Sequence, residues 1–479
     1  MKFLCGVVVF LNCVVLSATA QTRQQQKTDS VYRLVKKAFN QKDVGAIYAL
    51  TGQNFKNSVP LASFRSIAEQ QLFPLGAIKR DTLLSFNNNK DATYKIQLDA
   101  IALKLLMNLD DKDKLELFLF QPYSALADNI KTGKVPTSNP LTTATDKIID
   151  SIARVYIQKQ NTAGLSLGVI RGGKVSVYNY GEATKGNNKL PDGNTIFELG
   201  SITKTFTSIL LAWYVNQGKV SLNDPITKYL PTEVAANPQL KDIKLVNLSN
   251  HTSGLSSIPS NSGLQRPYDE ANPYKNYSRQ LLFDYLAKCT LIANPGEKYA
   301  YSNLASGVLG SILEKVSGKP YEQMVAEIIT QPLGMKSTIQ KIYPMLTPRV
   351  ATVYDEEGNQ TSPWDFDALA SAGALRSSMN DMLLYVKANM NSKGISPLDK
   401  AINLTHQITL NNDARIGLSW HIIVVGGVDY YFHNGGTGGS SSFLAFNKEK
   451  QLGIVILSNA AESTDPIGVS LLRNLQQTK

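Results

Sequence analysis

Both ends of residues 146–479 carry short stretches with the two-residue alternation of β-strands, whereas the middle has mostly helical spacing. Gly172-Gly173 joins the first two stretches through a tight hairpin turn. The predicted strands cover 165–171, 174–181, 416–425, 429–433, 442–446 and 453–459. The pattern therefore predicts one sheet built from both ends of this region, with a helical subdomain inserted between them.

The preceding residues have a different order of elements. Helical spacing dominates 30–76, including predicted helices at 44–50 and 64–72, and alternation follows up to Pro122. The predicted strands of this part are 82–86, 92–98, 101–109 and 115–121, with turns at 87–90 and 110–113. The pattern therefore predicts that residues 21–122 form a small α+β module, in which the sequence shows no catalytic constellation. The module loosely resembles cystatin-like or NTF2-like modules.

Residues 123–145 have the composition of a linker. Pro136 and Pro140 flank a run of small polar residues, a typical sign of a connecting segment. The second unit is therefore predicted to cover 146–479, opening with a helix at 146–160 and closing with one at 465–477. We expect a chain that starts near Thr142 to fold and act alone.

Residues 1–20 have the layout of a secretory signal. Met1-Lys2 precedes an apolar run at 3–16, and Ala18-x-Ala20 ends it, which predicts cleavage after Ala20 and a periplasmic or secreted protein. The apolar run is short for a membrane span. Lipidation at Cys13 is disfavoured because Asn12 stands where a small residue is expected.

Composition narrows the classes of function. The 479 residues carry a formal net charge of +11, but Lys and Arg are scattered without the basic stripes of a nucleic-acid-binding face. Attraction to anionic cell-wall material stays open. Cys289 would be the single cysteine left after signal cleavage, which excludes an intramolecular disulfide. His251, His406 and His421 lack metal-ligand spacing, so neither a metal nor a cofactor is predicted.

Ser201-x-x-Lys204 opens a predicted helix that ends before Gly218. Residues three apart on a helix share one side, so the amine of Lys204 can reach the hydroxyl of Ser201. Serine needs a nearby base to act as a nucleophile, and a desolvated lysine can lose its proton near neutral pH. The alternative is an ordinary helix start.

Tyr301-x-Asn303 lies between a turn and a helix start rich in small residues. A phenol beside a cationic lysine can become a phenolate and move protons, and an Asn amide can bind a substrate carbonyl. Tyr274-x-Asn276 repeats the pattern within a polar loop, and the sequence context favours Tyr301 as the functional residue.

His433-x-Gly435 ends a predicted strand and begins a glycine-rich run to Gly439. Glycines at the end of a strand allow a substrate to approach the backbone closely, although a hairpin turn would use them equally well.

The three motifs, in this order and spacing, resemble those of class C β-lactamases and penicillin-binding-protein-like serine hydrolases. The resemblance covers about 146–479. Supporting segments are Phe197-Glu198-Leu199-Gly200, Asn250-His251-Thr252-Ser253-Gly254-Leu255, Pro332-Leu333-Gly334-Met335, Ala372-Gly373-Ala374-Leu375-Arg376-Ser377 and Gly417-Leu418-Ser419-Trp420. The implied α/β fold is an antiparallel sheet flanked by helices, with an inserted helical subdomain.

The resemblance also implies roles for individual residues. Ser201 is the residue acylated, while Lys204 and Tyr301 handle protons. Asn303 orients the acyl amide, with His433 and Gly435 as further substrate-binding residues. The backbone N–H groups of Ser201 and Gly436 form the oxyanion hole.

One departure bears on the substrate. The β-lactamases of this type carry Lys-Thr-Gly where this chain has His433-Asn434-Gly435, and a neutral His433 would provide no strong carboxylate anchor. The leading hypothesis is therefore hydrolysis of an ester or a D-amino-acid amide. The alternatives are a β-lactamase or D-alanyl-D-alanine carboxypeptidase, and a penicillin-binding sensor that is acylated without turnover.

Overall fold

The computed structural model describes residues 22–87, 91–99, 101–123, 129–412 and 414–476. The predicted signal segment, 1–20, lies outside these ranges, as does most of the predicted turn at 87–90. Within the described ranges, no helix combines the length and the apolar character that a membrane crossing requires.

The N-terminal part consists of helices followed by an antiparallel meander with strand order β1-β2-β3-β4. Residues of β2 alternate between buried and half-buried positions, so one face of the sheet packs against the helices. These elements share a hydrophobic core that includes Val35 and Phe39 of the first helix. The elements are α1 Arg23–Asn40, α2 Val44–Ala49, α3 Gln53–Ser58, α4 Leu61–Ile67, β1 Arg80–Asn87, β2 Asp91–Gln97, β3 Ala102–Leu109 and β4 Leu115–Pro122.

The predicted linker is not a free tether from residue 129 onward. The backbone carbonyl of Pro136 accepts a hydrogen bond from the N–H of Gly181, and the N–H of Ser138 donates to the carbonyl of Asn179. Val135 is buried in the hydrophobic core beneath the larger sheet. The next helix, α5 (Ala144–Ile157), begins two residues before the predicted start and is capped by Thr143. The division into domains stays a prediction.

The larger sheet joins the two ends of the C-terminal region, as predicted. It has eight antiparallel strands in the order β6-β5-β14-β13-β12-β11-β10-β9, so the first hairpin pairs directly with the last strand. The remaining strands, β7 and β8, pair separately. The strands are β5 Gly164–Arg171, β6 Lys174–Gly181, β7 Ile196–Glu198, β8 Arg376–Ser378, β9 Leu410–Asn411, β10 Arg415–Ile416, β11 His421–Val425, β12 Val428–Gly436, β13 Ser441–Asn447 and β14 Leu452–Ser458.

One predicted strand, 416–425, is interrupted at 417–420. The carbonyl of Thr405 lies 2.2 Å from where a Cβ on Gly417 would be, and Ser419 has a left-handed backbone with φ of +61°. Trp420 is fully buried, so the interruption turns this side chain into the core between β10 and β11.

Helices fill most of the region between β6 and β9 and also close the chain. They are α6 Thr203–Asn216, α7 Thr232–Ala235, α8 Leu245–Ser249, α9 Arg279–Leu286, α10 Asn303–Ser317, α11 Tyr321–Val325, α12 Gln331–Leu333, α13 Ala370–Gly373, α14 Met379–Asn391, α15 Pro397–Thr405 and α16 Asp465–Leu475. The sequence predicts one apolar face for α6, but its first ten residues are all buried because neighbouring elements surround it. The short turn that precedes this buried helix, Gly200–Ile202, lies against β12.

Candidate active site

Ser201 lies in a short 3-10 turn, Gly200–Ile202, immediately before α6. Gly200 has φ of +49°, and a Cβ there would lie 2.6 Å from the backbone N of Gly436. Glycine is therefore required on both conformational and steric grounds. The turn leaves the Ser201 side chain half-buried at the wall of a cavity of about 470 Å³.

The Nζ atom of Lys204 is completely enclosed and has three polar neighbours. It lies 2.9 Å from Oγ of Ser201, 2.7 Å from Oδ1 of Asn303 and 2.7 Å from the carbonyl oxygen of Ala372. Burial lowers the pKa of Lys204 well below its usual range. A neutral amine has two N–H donors and one lone pair, so it can donate to Asn303 and Ala372 and accept the proton of Ser201.

Tyr301 is protonated beside this amine. Burial raises the pKa of Tyr301, although a hydrogen bond with Ser201 lowers it in part and the nearby Tyr274 raises it further. The Lys204 Nζ lies 4.8 Å from the centroid of the Tyr301 ring. Burial favours the neutral form of both groups, which opposes the expected phenolate beside a cationic lysine, and that expectation stays a prediction.

Asn303 is the first residue of α10. Ser302 caps this helix by accepting a hydrogen bond from the N–H of Ala305, and its hydroxyl donates to the carbonyl of Ser256. The cap fixes the backbone between Tyr301 and Asn303, so both side chains meet Lys204. Since Oδ1 of Asn303 accepts from Lys204, its Nδ2 is the group that can donate to a substrate.

The two residues of the second Tyr-x-Asn pair, Tyr274 and Asn276, have different surroundings. Burial raises the pKa of Tyr274, and a hydrogen bond with the side chain of Asn303 lowers it in part. The two side chains are therefore in contact. Asn276 instead donates to the carbonyl of Pro267. The loop folds inward and packs Tyr274 against the ring of Phe366, so this tyrosine lies next to the predicted site residue Asn303.

Close backbone packing joins the end of β12 to the nucleophile turn. A Cβ on Gly435 would lie 2.0 Å from the carbonyl oxygen of Leu199 and 2.9 Å from the backbone N of Ser201. Ser442 reinforces the contact by donating to the same carbonyl. The backbones of Ser201 and Gly436 thus approach each other at the cavity, where both residues are part of the wall.

His433 lies beneath the cavity wall, not in it. Its side chain is 1% exposed and stacks on His421, with the ring centroids 5.4 Å apart. Burial, then His421 and Lys204, hold the pKa of His433 well below its usual range, so the imidazole is neutral. The expected neutrality agrees with this direction, but the residue of this motif that lines the cavity beside Gly435 is Asn434.

Sequence reasoning missed two residues beside the candidate site. His251 packs its ring against Tyr301 at 4.4 Å and accepts a hydrogen bond from the N–H of Ser302. Asp465, the first residue of α16, lines the cavity. The His251-Thr252-Ser253-Gly254 segment and the Asp465-Pro466 helix start were visible in the sequence, but neither pattern indicates proximity to Ser201.

The family model described as Beta-lactamase matches residues 149–476. The chain belongs to the β-lactamase family. A β-lactamase of Pseudomonas fluorescens is 30% identical over 353 residues, covering 66% of this chain and 94% of that protein. The D-alanyl-D-alanine-carboxypeptidase/endopeptidase AmpH of Escherichia coli (strain K12) is 30% identical over 327 residues, covering 65% and 83%.

A solved structure of a β-lactamase/D-alanine carboxypeptidase from Pseudomonas syringae superposes with a TM-score of 0.62 at 25% identity. The similarity covers 70% of this chain and 100% of that one. This β-lactamase-family chain is therefore a serine hydrolase with the mixed fold predicted for 146–479. The family match begins after the N-terminal module, whose resemblance to cystatin-like or NTF2-like modules stays a prediction.

Proposed function

We propose that the protein is an exported serine hydrolase that cleaves an ester or a D-amino-acid amide through an acyl-enzyme on Ser201. The observation that carries the proposal is the environment of Lys204. Burial lowers the pKa of its amine, and the neutral form has one lone pair for the Ser201 proton while its two N–H groups donate to Asn303 and Ala372. Export is supported by the signal-like layout of residues 1–20.

In acylation, Oγ of Ser201 attacks the substrate carbonyl carbon while its proton moves to Nζ of Lys204. The carbonyl oxygen becomes an oxyanion, and the backbone N–H groups of Ser201 and Gly436 stabilise it. The bond to the leaving group then breaks, and the leaving oxygen or nitrogen takes the Tyr301 proton. Lys204 returns its proton to Tyr301, so both groups are neutral again in the acyl-enzyme.

Deacylation reverses the proton movements with water as the nucleophile. Water gives a proton to the Tyr301–Lys204 pair while its oxygen bonds to the acyl carbon. Oγ of Ser201 leaves and recovers a proton from the same pair, and the acid product dissociates. Asn303 is the proposed ligand of the acyl amide, since its Nδ2 can donate after Oδ1 has accepted from Lys204.

The relatives provide the second candidate function. They are named as β-lactamases and as a D-alanyl-D-alanine carboxypeptidase. Penicillins and D-alanyl-D-alanine peptides each carry a carboxylate. The neutral, buried state of His433 favours the ester or amide instead, because no permanent cation replaces the lysine of those enzymes. The third possibility, a sensor that is acylated without turnover, differs in deacylation alone.

The test is intact-protein mass spectrometry with product analysis. Wild type, Ser201→Ala and Ser253→Ala are each exposed to a neutral aryl ester, a D-alanyl-D-alanine peptide and a penicillin. Ser253 is a matched control because it is a buried serine of a neighbouring motif outside the cavity wall. We expect Ser201→Ala to lose acylation and at least about 10⁴-fold in turnover, with Ser253→Ala retaining both.

The pattern over the three compounds separates the candidates. Fastest turnover of the neutral ester supports an ester or an uncharged D-amino-acid amide as substrate, whereas fastest turnover of penicillin or the D-alanyl-D-alanine peptide, which both carry a carboxylate, supports the second candidate. A stable adduct with no product from any compound would indicate a sensor. Substantial turnover by a folded Ser201→Ala protein would refute the assignment of the nucleophile.

A further inference from the structure

The wall of the cavity beside Ser201 has an unusual distribution of charge. Its described members are Ser201, Tyr299, Tyr301, His421, Phe432, Asn434, Gly435, Gly436, Ser441, Ala461, Ser463 and Asp465. These residues include no lysine or arginine. Burial lowers the pKa of His421 to about 4, so this imidazole is uncharged at neutral pH. Asp465 is therefore the one member of the described wall that can carry a charge there.

Asp465 is held in position by its neighbours. Nδ2 of Asn434 donates to its Oδ2 at 2.7 Å, and its own backbone N–H donates to Oγ of Ser463 at 3.3 Å. Burial raises the pKa of Asp465 to about 6, although the hydrogen bonds with Asn434 and Ser463 lower it in part, so the carboxyl is ionised at pH 8. The carboxyl is therefore a fixed part of the cavity wall.

No cation of the described wall compensates Asp465. Lys204 lies under the nucleophile turn, where its three polar contacts are already made. His433 is buried beneath the strand, with its Nδ1 at 2.7 Å from the carbonyl of Asn434. A substrate carboxylate in this part of the cavity would thus meet a like charge with little water to screen it.

The position of Asp465 relates it to one part of the substrate. Asn303 and Tyr274, beside Lys204 and Tyr301, are not among the wall residues around Asp465. Because Asn303 is the proposed ligand of the acyl amide, the part of the cavity between Asn434 and Ser463 remains for the leaving group. The carboxyl of Asp465 thus faces the portion of substrate that departs on acylation.

We infer that Asp465 is a specificity-determining residue that selects leaving groups by charge. It favours cationic leaving groups over carboxylates. This inference rests on the proposed function and narrows its substrate class. Asp465 acts through the charge of its carboxylate and takes part in no covalent step.

The experiment uses three acetate esters that differ only in the meta substituent of the phenol that leaves. The leaving groups are 3-hydroxybenzoate, 3-hydroxybenzamide and 3-hydroxyphenyl-trimethylammonium, and each kcat/KM at pH 8 is divided by the rate constant for hydroxide-catalysed hydrolysis. The full mature chain is used as wild type, Asp465→Asn, Asp465→Ala and Glu462→Gln. Glu462 is a matched control because its carboxylate pairs with Lys159 and lies outside the cavity wall.

We expect wild type to prefer the cationic ester over the anionic ester by at least about tenfold. Asp465→Asn and Asp465→Ala should each reduce that ratio about tenfold, with kcat/KM for the neutral ester kept within about threefold. Glu462→Gln should keep the wild-type ratio. Retained hydrolysis of the neutral ester shows that the variants are folded.

The outcomes separate the inference from the proposed function. Hydrolysis of the neutral ester with a charge ratio that both Asp465 variants leave unchanged overturns the role of Asp465 alone. A wild type that prefers the anionic ester does the same. If wild type hydrolyses none of the three esters, the proposed function fails and the inference fails with it.

Discussion

Burial disfavours both the cation of Lys204 and the phenolate of Tyr301 in the resting site, because it lowers the pKa of the first and raises the pKa of the second. The pair can therefore take the Ser201 proton without first losing one to solvent. His251 supports this arrangement from behind, because its ring lies against Tyr301 and it accepts from the N–H of Ser302. The proton-handling groups are thus held by packing and by one helix cap.

The two tyrosines near Asn303 should respond differently to loss of the hydroxyl. Tyr301→Phe removes the group that bonds Ser201 and should lower kcat by about 10²–10⁴-fold. Tyr274→Phe keeps the packing on Phe366 and removes only the hydroxyl beside Asn303, so kcat/KM should fall by about two- to tenfold. Steady-state kinetics on one neutral ester measures both.

The paired variants are each other's control, and thermal unfolding should show both to be folded. Equal losses in the two proteins would mean that Tyr301 has no special part in proton transfer. A Tyr274→Phe protein with unchanged kcat/KM would show that the contact between the Tyr274 hydroxyl and Asn303 does not contribute to catalysis.

The sequence predicts which side chains meet at Ser201 better than it predicts their charge. Ser201 and Lys204 are three residues apart on one helix, so their contact follows from local geometry. The neutrality of Tyr301 depends on burial by residues distant in sequence, and the inward turn of Tyr274 depends on Phe366. The sequence predicts Asp465 only as the start of a helix, because no local sequence pattern indicates that it lies beside Asn434.

At the scale of elements, the contact between the end of β12 and the turn before α6 determines the position of the proposed oxyanion hole. Gly435 faces this contact and has no room for a side chain, whereas a Cβ on Gly436 would have its nearest neighbour, the carbonyl of Ser440, at 3.9 Å. Adjacent glycines therefore have opposite tolerance to substitution, which gives a test with a built-in control.

Gly435→Ala should push β12 away from Ser201, because the new Cβ would lie 2.0 Å from the Leu199 carbonyl oxygen. We expect kcat to fall by about 10²–10³-fold, the effect of losing one oxyanion donor, and stability to fall by about 1–3 kcal/mol. Gly436→Ala keeps its N–H and should change kcat by less than about fivefold. Kinetics on a small acetate ester and thermal unfolding measure both effects, and similar kcat values would contradict the assignment.

Elements with strong local signals were predicted well. The hairpin through Gly172-Gly173 and the strands β13 and β14 agree within one residue, because alternation and turn residues specify them locally. The break at 417–420 was missed, since it arises from the approach of Gly417 to the Thr405 carbonyl. Long-range packing of this kind leaves no periodic signal in the sequence.

At the scale of the whole molecule, residues 129–141 pack on the hydrolase region. They cover the edge of β6, the outer strand of the large sheet, through the hydrogen bonds of Pro136 and Ser138. Asn139 adds a bond from its Nδ2 to the hydroxyl of Tyr180. An exposed outer strand invites pairing with other chains, so this cover has consequences for solubility.

A chain that starts at Asn129 should therefore keep activity and thermal stability better than one that starts at Thr142. The shorter chain loses several hydrogen bonds and the burial of Val135, together about 3 kcal/mol or more. Its Tm should be lower by about 5 °C or more, and it should aggregate more readily. Calorimetry and size-exclusion chromatography compare the two, and equal Tm values would support the boundary predicted from the sequence.

The pairing of β5 with β14 also determines when the large sheet can form during synthesis of the chain. Leu165 and Ser458 are partners in the sheet, although nearly the whole hydrolase region lies between them in the chain. A ribosome delivers β5 and β6 long before their partner exists, so this sheet closes only after β14 has emerged. Until then the growing chain exposes apolar strand faces, a state suited to capture by holdase chaperones and to threading through a translocation pore.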